Sequence, residues 1–247
     1  MIIKELNIIN LRNHNYTQIN LNSGINVFYG MNGAGKTTVL EAASICAFSK
    51  TFLNTPDSSL VQQGNNSFIV SAKANTDIDT PYKIKIKYTP GKRKEISSNY
   101  GGNLYPKDII GEIPMVILSP DYKAITAGSP ENRRNFIDRT ISQSSKLYFE
   151  NLVKLKRTLK QRNALLADAK NDYHFDTKLV KPWSSKFIEL SAEIILRRRY
   201  FIELFIPIFK DVYNNISNGK EDTTLKYEPD SLSPYNSLTK ESIIEEY

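Results

Sequence analysis

The sequence feature that most constrains this chain is a glycine-rich stretch at residues 30–37, which fits the pattern G-x-x-x-x-G-K-[ST]. The apolar-rich residues 25–29 before it predict a short buried strand, and the helical spacing of Val39, Ala43 and Ala47 behind it predicts an amphipathic helix. A loop between a strand and a helix aims backbone N–H groups at an anion, and the helix N-terminus favours the same anion. The stretch therefore predicts a binding loop for a nucleoside triphosphate, called the phosphate cradle below.

Each residue type in the phosphate cradle has a physical task. Glycine allows the tight backbone path, Lys36 reaches the β- and γ-phosphates as the catalytic phosphate contact, and the Thr37 hydroxyl is a suitable ligand for Mg²⁺. The predicted nucleotide contacts are Gly30, Met31, Asn32, Gly33, Ala34, Gly35, Lys36, Thr37 and Thr38.

A phosphate cradle alone does not hydrolyse a nucleotide, because phosphoryl transfer also needs an acidic residue to hold the metal and a group to orient the attacking water. The apolar run at residues 115–118 reaches Asp121 only through Pro120, which breaks strand geometry. A second run, at residues 204–211, contains Pro207 and lies in helical surroundings. The chain is therefore expected to bind a nucleotide and to lack the hydrolytic half of the site.

Charge is distributed unevenly along the chain. The formal net charge is +7, yet residues 123–210 alone hold 18 Lys and Arg against 9 Asp and Glu. Such a basic segment fits either a polyanionic partner or a solvated helix surface, and composition leaves both open.

A single cysteine excludes a disulfide-stapled secreted scaffold, and no apolar run is long enough for a membrane span, so a cytoplasmic protein is expected.

The order of strand and helix patterns predicts three parts. Strand patterns occupy residues 2–9, 67–74 and 82–88, whereas Ser129-Pro130-Glu131 opens a helical part with long helices near 146–166 and 182–206. The acidic residues 217–247 include a strand pattern at 224–227. The predicted parts are 1–118 for the first ATPase portion, 119–216 for a helical lobe and 217–247 for an acidic return segment.

Several sequence blocks together resemble a known family. They are Leu11-Arg12-Asn13, the phosphate cradle with its flanks, residues 118–138 with Gly128-Ser129-Pro130-Glu131-Asn132-Arg133-Arg134, and residues 159–166. In this combination the chain resembles the amino-terminal two-thirds of the RecF family, bacterial DNA replication and repair ATPases related to the SMC and ABC-type ATPases. The resemblance implies an α/β fold, an ABC/SMC-type P-loop ATPase lobe with a mixed sheet and helices, carrying an inserted helical second lobe.

The resemblance also implies function. It implies ATP and Mg²⁺ in the phosphate cradle, Arg12 near the nucleotide, an ATP-dependent homodimer that binds duplex and gapped DNA, and the mediators RecR and RecO as partners. The family's signature motif and acidic metal-binding strand have no counterpart in these residues, so the chain is expected to be a fragment or truncated form.

DNA contacts are predicted in the helical part, at Arg133, Arg134, Lys154, Arg157 and Lys160. A structural role is the alternative: Arg134 can form an i,i+4 pair with Asp138, and exposed lysines are an ordinary helix surface.

Two further functions stay open at this level. One is a small-molecule P-loop phosphotransferase with residues 92–94 as a basic lid, and the other is a non-catalytic module that binds DNA or a partner.

Arg197-Arg198-Arg199 spans most of a helix circumference, so at least one of the three is expected to face the core and be paired. His14 and His174 lack neighbours at metal-ligand spacing, and Cys46 is expected in the core.

Overall fold

Five strands of the first hundred residues form an antiparallel sheet in the computed structural model, which describes residues 1–53, 55–120, 123–169, 177–229 and 239–246. They are β1 (Ile2–Leu11), β2 (His14–Asn20), β3 (Phe68–Asn75), β4 (Pro81–Tyr88) and β5 (Glu95–Ser98), in the spatial order β2-β1-β3-β4-β5. The sheet belongs to the first of two compact units, Met1–Pro120, and the second unit is Asp121–Tyr247.

The alternation of apolar residues along the strands determines which sheet face is buried. In β4, Tyr82, Ile84 and Ile86 are buried while Lys83 and Lys85 are exposed, as the period of two predicts. Helix α1 (Lys36–Phe48) packs on the buried face, and a short helix α2 (Pro106–Ile109) also contributes to the core. The main core residues are Leu6, Ile8, Leu11, Val39, Ala42, Ile45, Cys46, Phe68, Val70, Ile84, Ile86 and Ile109.

The predicted strand at residues 25–29 is wrong. This segment has no regular structure, and Ile25, Val27 and Tyr29 are 90%, 74% and 91% exposed, while Phe28 packs against the core. A strand forms only where a neighbour completes its hydrogen-bond ladder, and none of the described strands pairs with this segment. The segment has the apolar alternation of a strand, but no described strand forms backbone hydrogen bonds with it.

Helices account for the regular structure of the second unit. They are α3 (Lys123–Ala127), α4 (Pro130–Ser144), α5 (Lys146–Ala169), α6 (Lys181–Ser217) and α7 (Lys240–Glu246). Helix α4 begins at the predicted place, with Ser129 as the N-cap residue and proline in its first turn, but the Ser129 hydroxyl makes no capping hydrogen bond. None of the helices in the described ranges is both long enough and apolar enough to cross a lipid bilayer.

Helix α6 is longer than predicted, because it continues past Pro207 to Ser217. Proline removes one helical hydrogen bond, yet aromatic contacts continue across it. Phe201, Phe205, Phe209 and Tyr213 form a ladder at i,i+4 spacing, with ring centroids 5.6, 6.2 and 5.9 Å apart. These contacts hold the helix together on both sides of the proline.

The acidic segment also differs from its prediction. Residues 224–227 form no strand, and the last described element is α7, whose Ile243 is fully buried beside Ala192 of α6. Lys240 of α7 forms an ion pair with Glu193 at 2.6 Å.

A buried polar cluster joins three helices of the second unit. Asp138 of α4 accepts two hydrogen bonds from the Arg198 guanidinium of α6, at 2.7 and 2.8 Å, and one from the Tyr148 hydroxyl of α5, at 2.5 Å. The side chains of Asp138 and Arg198 are only 7% and 11% exposed. Burial opposes the charge of Arg198, but the hydrogen bonds and charge of Asp138 outweigh it, and the pKa of the guanidinium is raised. This confirms the expectation that one arginine of residues 197–199 faces the core and is paired.

Candidate nucleotide site and basic helical face

The phosphate cradle lies at the N-terminus of α1. Gly35 is the N-cap residue with φ at 89°, and Gly33 has φ at 82°, a left-handed backbone that glycine adopts without strain. Helix α1 begins at Lys36, so its free N–H groups and positive dipole end face the loop. The backbone therefore has the form that an anion site needs.

The side chains of the cradle are mostly at the surface. The Lys36 ammonium donates to the carbonyl oxygens of Gly30 and Met31, both at 2.8 Å, and Thr37 is exposed. A phosphate oxygen is a stronger, charged acceptor than these carbonyls, so the ammonium is poised to exchange one for the other. Thr38 differs from the other predicted contacts because it is only 4% exposed and packs at the base of α1.

The turn between β1 and β2 supports the cradle from outside the loop. The Asn13 side-chain amide donates to the Gly33 carbonyl at 2.7 Å, and Nε2 of His14 lies 3.2 Å from the Gly35 carbonyl. Sequence reasoning missed both contacts, because the turn and the loop are about twenty residues apart. The cue available was that Asn13 belongs to the block Leu11-Arg12-Asn13 that carried the family resemblance, with His14 directly after it.

Arg12 lies on the same turn, but its side chain is engaged with the protein. Its guanidinium donates to both oxygens of Glu41 on α1, at 2.6 and 2.8 Å, and Thr51 donates to the same carboxylate at 2.8 Å. Glu41 is 1% exposed and Arg12 is 31% exposed. The hydrogen bonds that Arg12 donates to Glu41 raise the pKa of Arg12, so the guanidinium stays charged.

Other site predictions have mixed outcomes. Across the described residues no group of three or more histidine, cysteine or carboxylate side chains could hold a metal ion. Thr37, the predicted magnesium ligand, is exposed at the start of α1. His174 and Asp121 lie outside the described residues. Cys46 is fully buried, and burial raises the pKa of its thiol to about 12, as befits a core residue.

Three of the predicted DNA-contact residues lie on one exposed helix surface. Lys154, Arg157 and Lys160 of α5 are exposed, and none forms an ion pair with a carboxylate in the described ranges. Their spacing of three places them on neighbouring positions of the helix. This surface is called the α5 basic face below.

Arg133 and Arg134 are exposed at the start of α4. Arg133 donates to the Gly128 carbonyl at 3.0 Å, so it braces the loop against the helix start. The i,i+4 pair between Arg134 and Asp138 is not formed, because both oxygens of Asp138 accept from Arg198 instead.

Two of the three basic residues at 92–94 have side chains held by the fold. Arg93 stacks on Tyr105 at 3.5 Å and donates to the Leu104 carbonyl, while Lys94 pairs with Asp57 at 2.7 Å. These anchors disfavour a mobile lid, and with it the phosphotransferase alternative.

Comparison with known proteins gives consistent matches. A family model described as an AAA domain matches residues 5–194. The chain is 34% identical over 240 residues to the DNA replication and repair protein RecF of Chloroherpeton thalassium, covering 97% of this chain and 65% of the relative. It is 30% identical over 247 residues to the protein of that name from Chlorobium luteolum, covering 100% of this chain and 67% of the relative.

Two solved structures match the fold. One, described as the recombination mediator protein RecF-ATPrS in the RecFOR pathway, has a TM-score of 0.90 and 27% identity, and covers 99% of this chain and 65% of that one. The other, RecF-ATP, has a TM-score of 0.86 at 26% identity with the same coverage. The predicted fold class, an ABC/SMC-type P-loop ATPase lobe with a helical second lobe, is confirmed. The chain spans about two thirds or less of its relatives, 65% and 56% of the first two.

Proposed function

Because the chain belongs to the RecF family of DNA replication and repair proteins, we propose that it is an ATP-binding DNA-repair protein whose nucleotide occupies the phosphate cradle. The observation that carries this proposal is the cradle itself: a left-handed Gly35 directly before α1, with Lys36 and Thr37 at the surface. Gly30 to Thr37 would hold the phosphates, and Thr37 would ligate Mg²⁺, which supplies charge neutralisation at the β- and γ-oxygens.

Duplex DNA is the proposed macromolecular ligand, and the α5 basic face is its proposed contact. The three exposed cations have no carboxylate partners among the described residues, so they can bind a phosphate backbone without first breaking an ion pair. We assign Arg133 and Arg134 a smaller share, because Arg133 already holds the Gly128 carbonyl.

Assembly completes the proposal. Family resemblance supports an ATP-dependent homodimer that binds duplex and gapped DNA and works with RecR and RecO. In such a dimer each nucleotide would lie between two copies of the protein. Localisation in the cytoplasm is part of the same proposal.

The test of the nucleotide site is titration with a fluorescent ATP analogue in the presence of Mg²⁺. Lys36→Ala removes the ammonium, and we expect at least a tenfold loss of affinity, the typical weight of a hydrogen bond to a charged group. Lys85→Ala is the matched control, because Lys85 is an exposed lysine of the same unit on the outer face of β4. Equal affinities for wild type and Lys36→Ala would overturn the assignment.

The test of the DNA surface uses the triple variant Lys154→Gln, Arg157→Gln and Lys160→Gln. We expect a loss of duplex affinity with ATP binding unchanged. A charge-matched control replaces the exposed Lys83, Lys85 and Lys107 of the first unit by glutamine. If both triple variants lose affinity equally, net charge rather than the α5 basic face determines binding.

A further inference from the structure

Two side chains of the β1–β2 turn reach carbonyl oxygens of the phosphate cradle. Asn13 donates its side-chain amide to the Gly33 carbonyl at 2.7 Å, and His14 Nε2 lies 3.2 Å from the Gly35 carbonyl. The Gly35 carbonyl also accepts the first helical hydrogen bond of α1, from the Val39 amide at 3.2 Å. Two side chains from one turn therefore fix two peptide units of the loop.

Fixing a carbonyl also fixes an amide. A trans peptide is planar, so its N–H points opposite to its C=O. The contact from Asn13 therefore sets the direction of the Ala34 N–H, which donates to the Met31 carbonyl at 3.2 Å and would exchange that acceptor for phosphate, and the contact from His14 sets the direction of the Lys36 N–H. Because a phosphate cradle works through backbone N–H groups held in advance, these orientations determine how much reorganisation a phosphate must cause on binding.

The position of the His14 ring is itself constrained. Its Nδ1 lies 2.7 Å from the Thr17 hydroxyl on β2, and when that hydroxyl donates to Nδ1 the neutral ring carries its proton on Nε2. The ring then donates to the Gly35 carbonyl. It also lies so close to Gly35 that a Cβ there would be 2.2 Å from Nε2, so any larger residue at this position would force the imidazole to move.

We infer that Asn13 and His14 are positioning residues for the nucleotide phosphates. They hold the phosphate cradle in its binding conformation through contacts with the Gly33 and Gly35 carbonyls, and Thr17 orients the His14 ring. This inference rests on the proposed nucleotide site and adds residues that the motif does not contain. Neither side chain needs to touch the nucleotide.

The test compares Asn13→Ala, His14→Ala and His14→Gln in the full chain, each titrated with ATP and with inorganic tripolyphosphate. We expect the two alanine variants to lose about tenfold in affinity for each ligand, the typical effect of one unmade hydrogen bond. His14→Gln keeps an N–H donor of similar reach and should recover most of the loss. Tyr16→Phe, at an exposed position of the same hairpin, is the matched control and should bind as wild type.

Each outcome separates a positioning role from a merely structural one. If the alanine variants melt at the wild-type temperature while binding weakens, and the glutamine variant is rescued, the inference holds. If ATP affinity falls but tripolyphosphate affinity does not, the brace acts on another part of the nucleotide and the inference is wrong. Wild-type affinity in both alanine variants would overturn the inference alone, whereas failure of the wild-type chain to bind ATP would overturn the proposed function.

Discussion

Replacing Arg198 by methionine tests the buried cluster that joins α4, α5 and α6. The substitution removes both hydrogen bonds to Asp138 and leaves that carboxylate, 7% exposed, with the Tyr148 hydroxyl as its remaining donor in this cluster. Breaking a buried ion pair from one side typically costs about 3–5 kcal/mol, because the remaining charge is uncompensated. Two charge-assisted hydrogen bonds at about 1.5–3 kcal/mol each give a similar total. We therefore expect the free energy of unfolding to fall by about 3–5 kcal/mol.

Urea unfolding monitored by tryptophan fluorescence measures this change in the free energy of unfolding. The chain contains one tryptophan, Trp183, which lies in α6 and reports on the helical unit. With a denaturant slope of about 2 kcal/mol per molar urea, the midpoint should move down by about 1.5–2.5 M. If the wild-type unit is less stable than this loss, the variant will show no cooperative transition.

Two further variants test whether the loss of stability comes from the unpaired Asp138 carboxylate. Arg157→Met removes an exposed arginine of α5 and should move the midpoint by no more than about 0.3 M, since exposed charges contribute little. The double variant Asp138→Leu with Arg198→Met removes both charges and should recover much of the loss. A single variant within about 1 kcal/mol of wild type, or a double variant with strictly additive losses, would refute the reasoning.

Three other predictions follow from the same structure. Gly35→Ala places a Cβ 2.2 Å from His14 at a residue with a left-handed φ of 89°, so ATP affinity measured by titration should fall at least tenfold. The control Gly24→Ala, whose Cβ meets no atom within 4 Å, should bind ATP like the wild type. Equal ATP affinities of the two variants would contradict the geometry. Cys46 is fully buried, and burial raises the pKa of its thiol to about 12. Iodoacetamide at pH 8 should therefore alkylate the native chain slower than the chain in guanidinium by at least a factor of about a thousand, and comparable rates would show that α1 opens readily. If each residue of the α5 basic face contacts one DNA phosphate, its triple glutamine variant should reduce the log–log salt slope of duplex binding by about 2.7, and an unchanged slope would exclude that surface.

The phosphate cradle was predictable because its chemistry is local. Glycines with positive φ, a lysine and a threonine at the start of a helix are specified by eight neighbouring residues, whereas the contacts from Asn13 and His14 come from a distant turn and were missed. The strands of the antiparallel sheet were predictable for a similar reason, since the period of two in β4 matches its buried and exposed sides. The buried arginine of residues 197–199 followed from helix geometry alone.

Predictions that depend on distant partners were wrong or were not made. Residues 25–29 have the alternation of a strand, but the ladder that would make them one is absent from the described sheet. Asp138 had a local candidate partner in Arg134, yet it pairs with Arg198, sixty residues away, which reaches it from α6 with two hydrogen bonds. A sequence shows which charges are present, whereas packing determines which of them meet.

The turn that carries Arg12 shows how a local cost can be outweighed by a distant contact. Arg12 has φ at 52°, a left-handed conformation that costs a residue with a side chain about 1–2 kcal/mol and that glycine would adopt freely. A glycine would remove this strain, but it would also leave Glu41, 1% exposed, without its guanidinium, at a cost of up to about 3–5 kcal/mol. Arg12 is 31% exposed, so the lower end of that range applies, and it still exceeds the strain. Arginine is therefore favoured at a position whose backbone favours glycine, because its contact with α1 fixes the turn from which Asn13 and His14 reach the phosphate cradle.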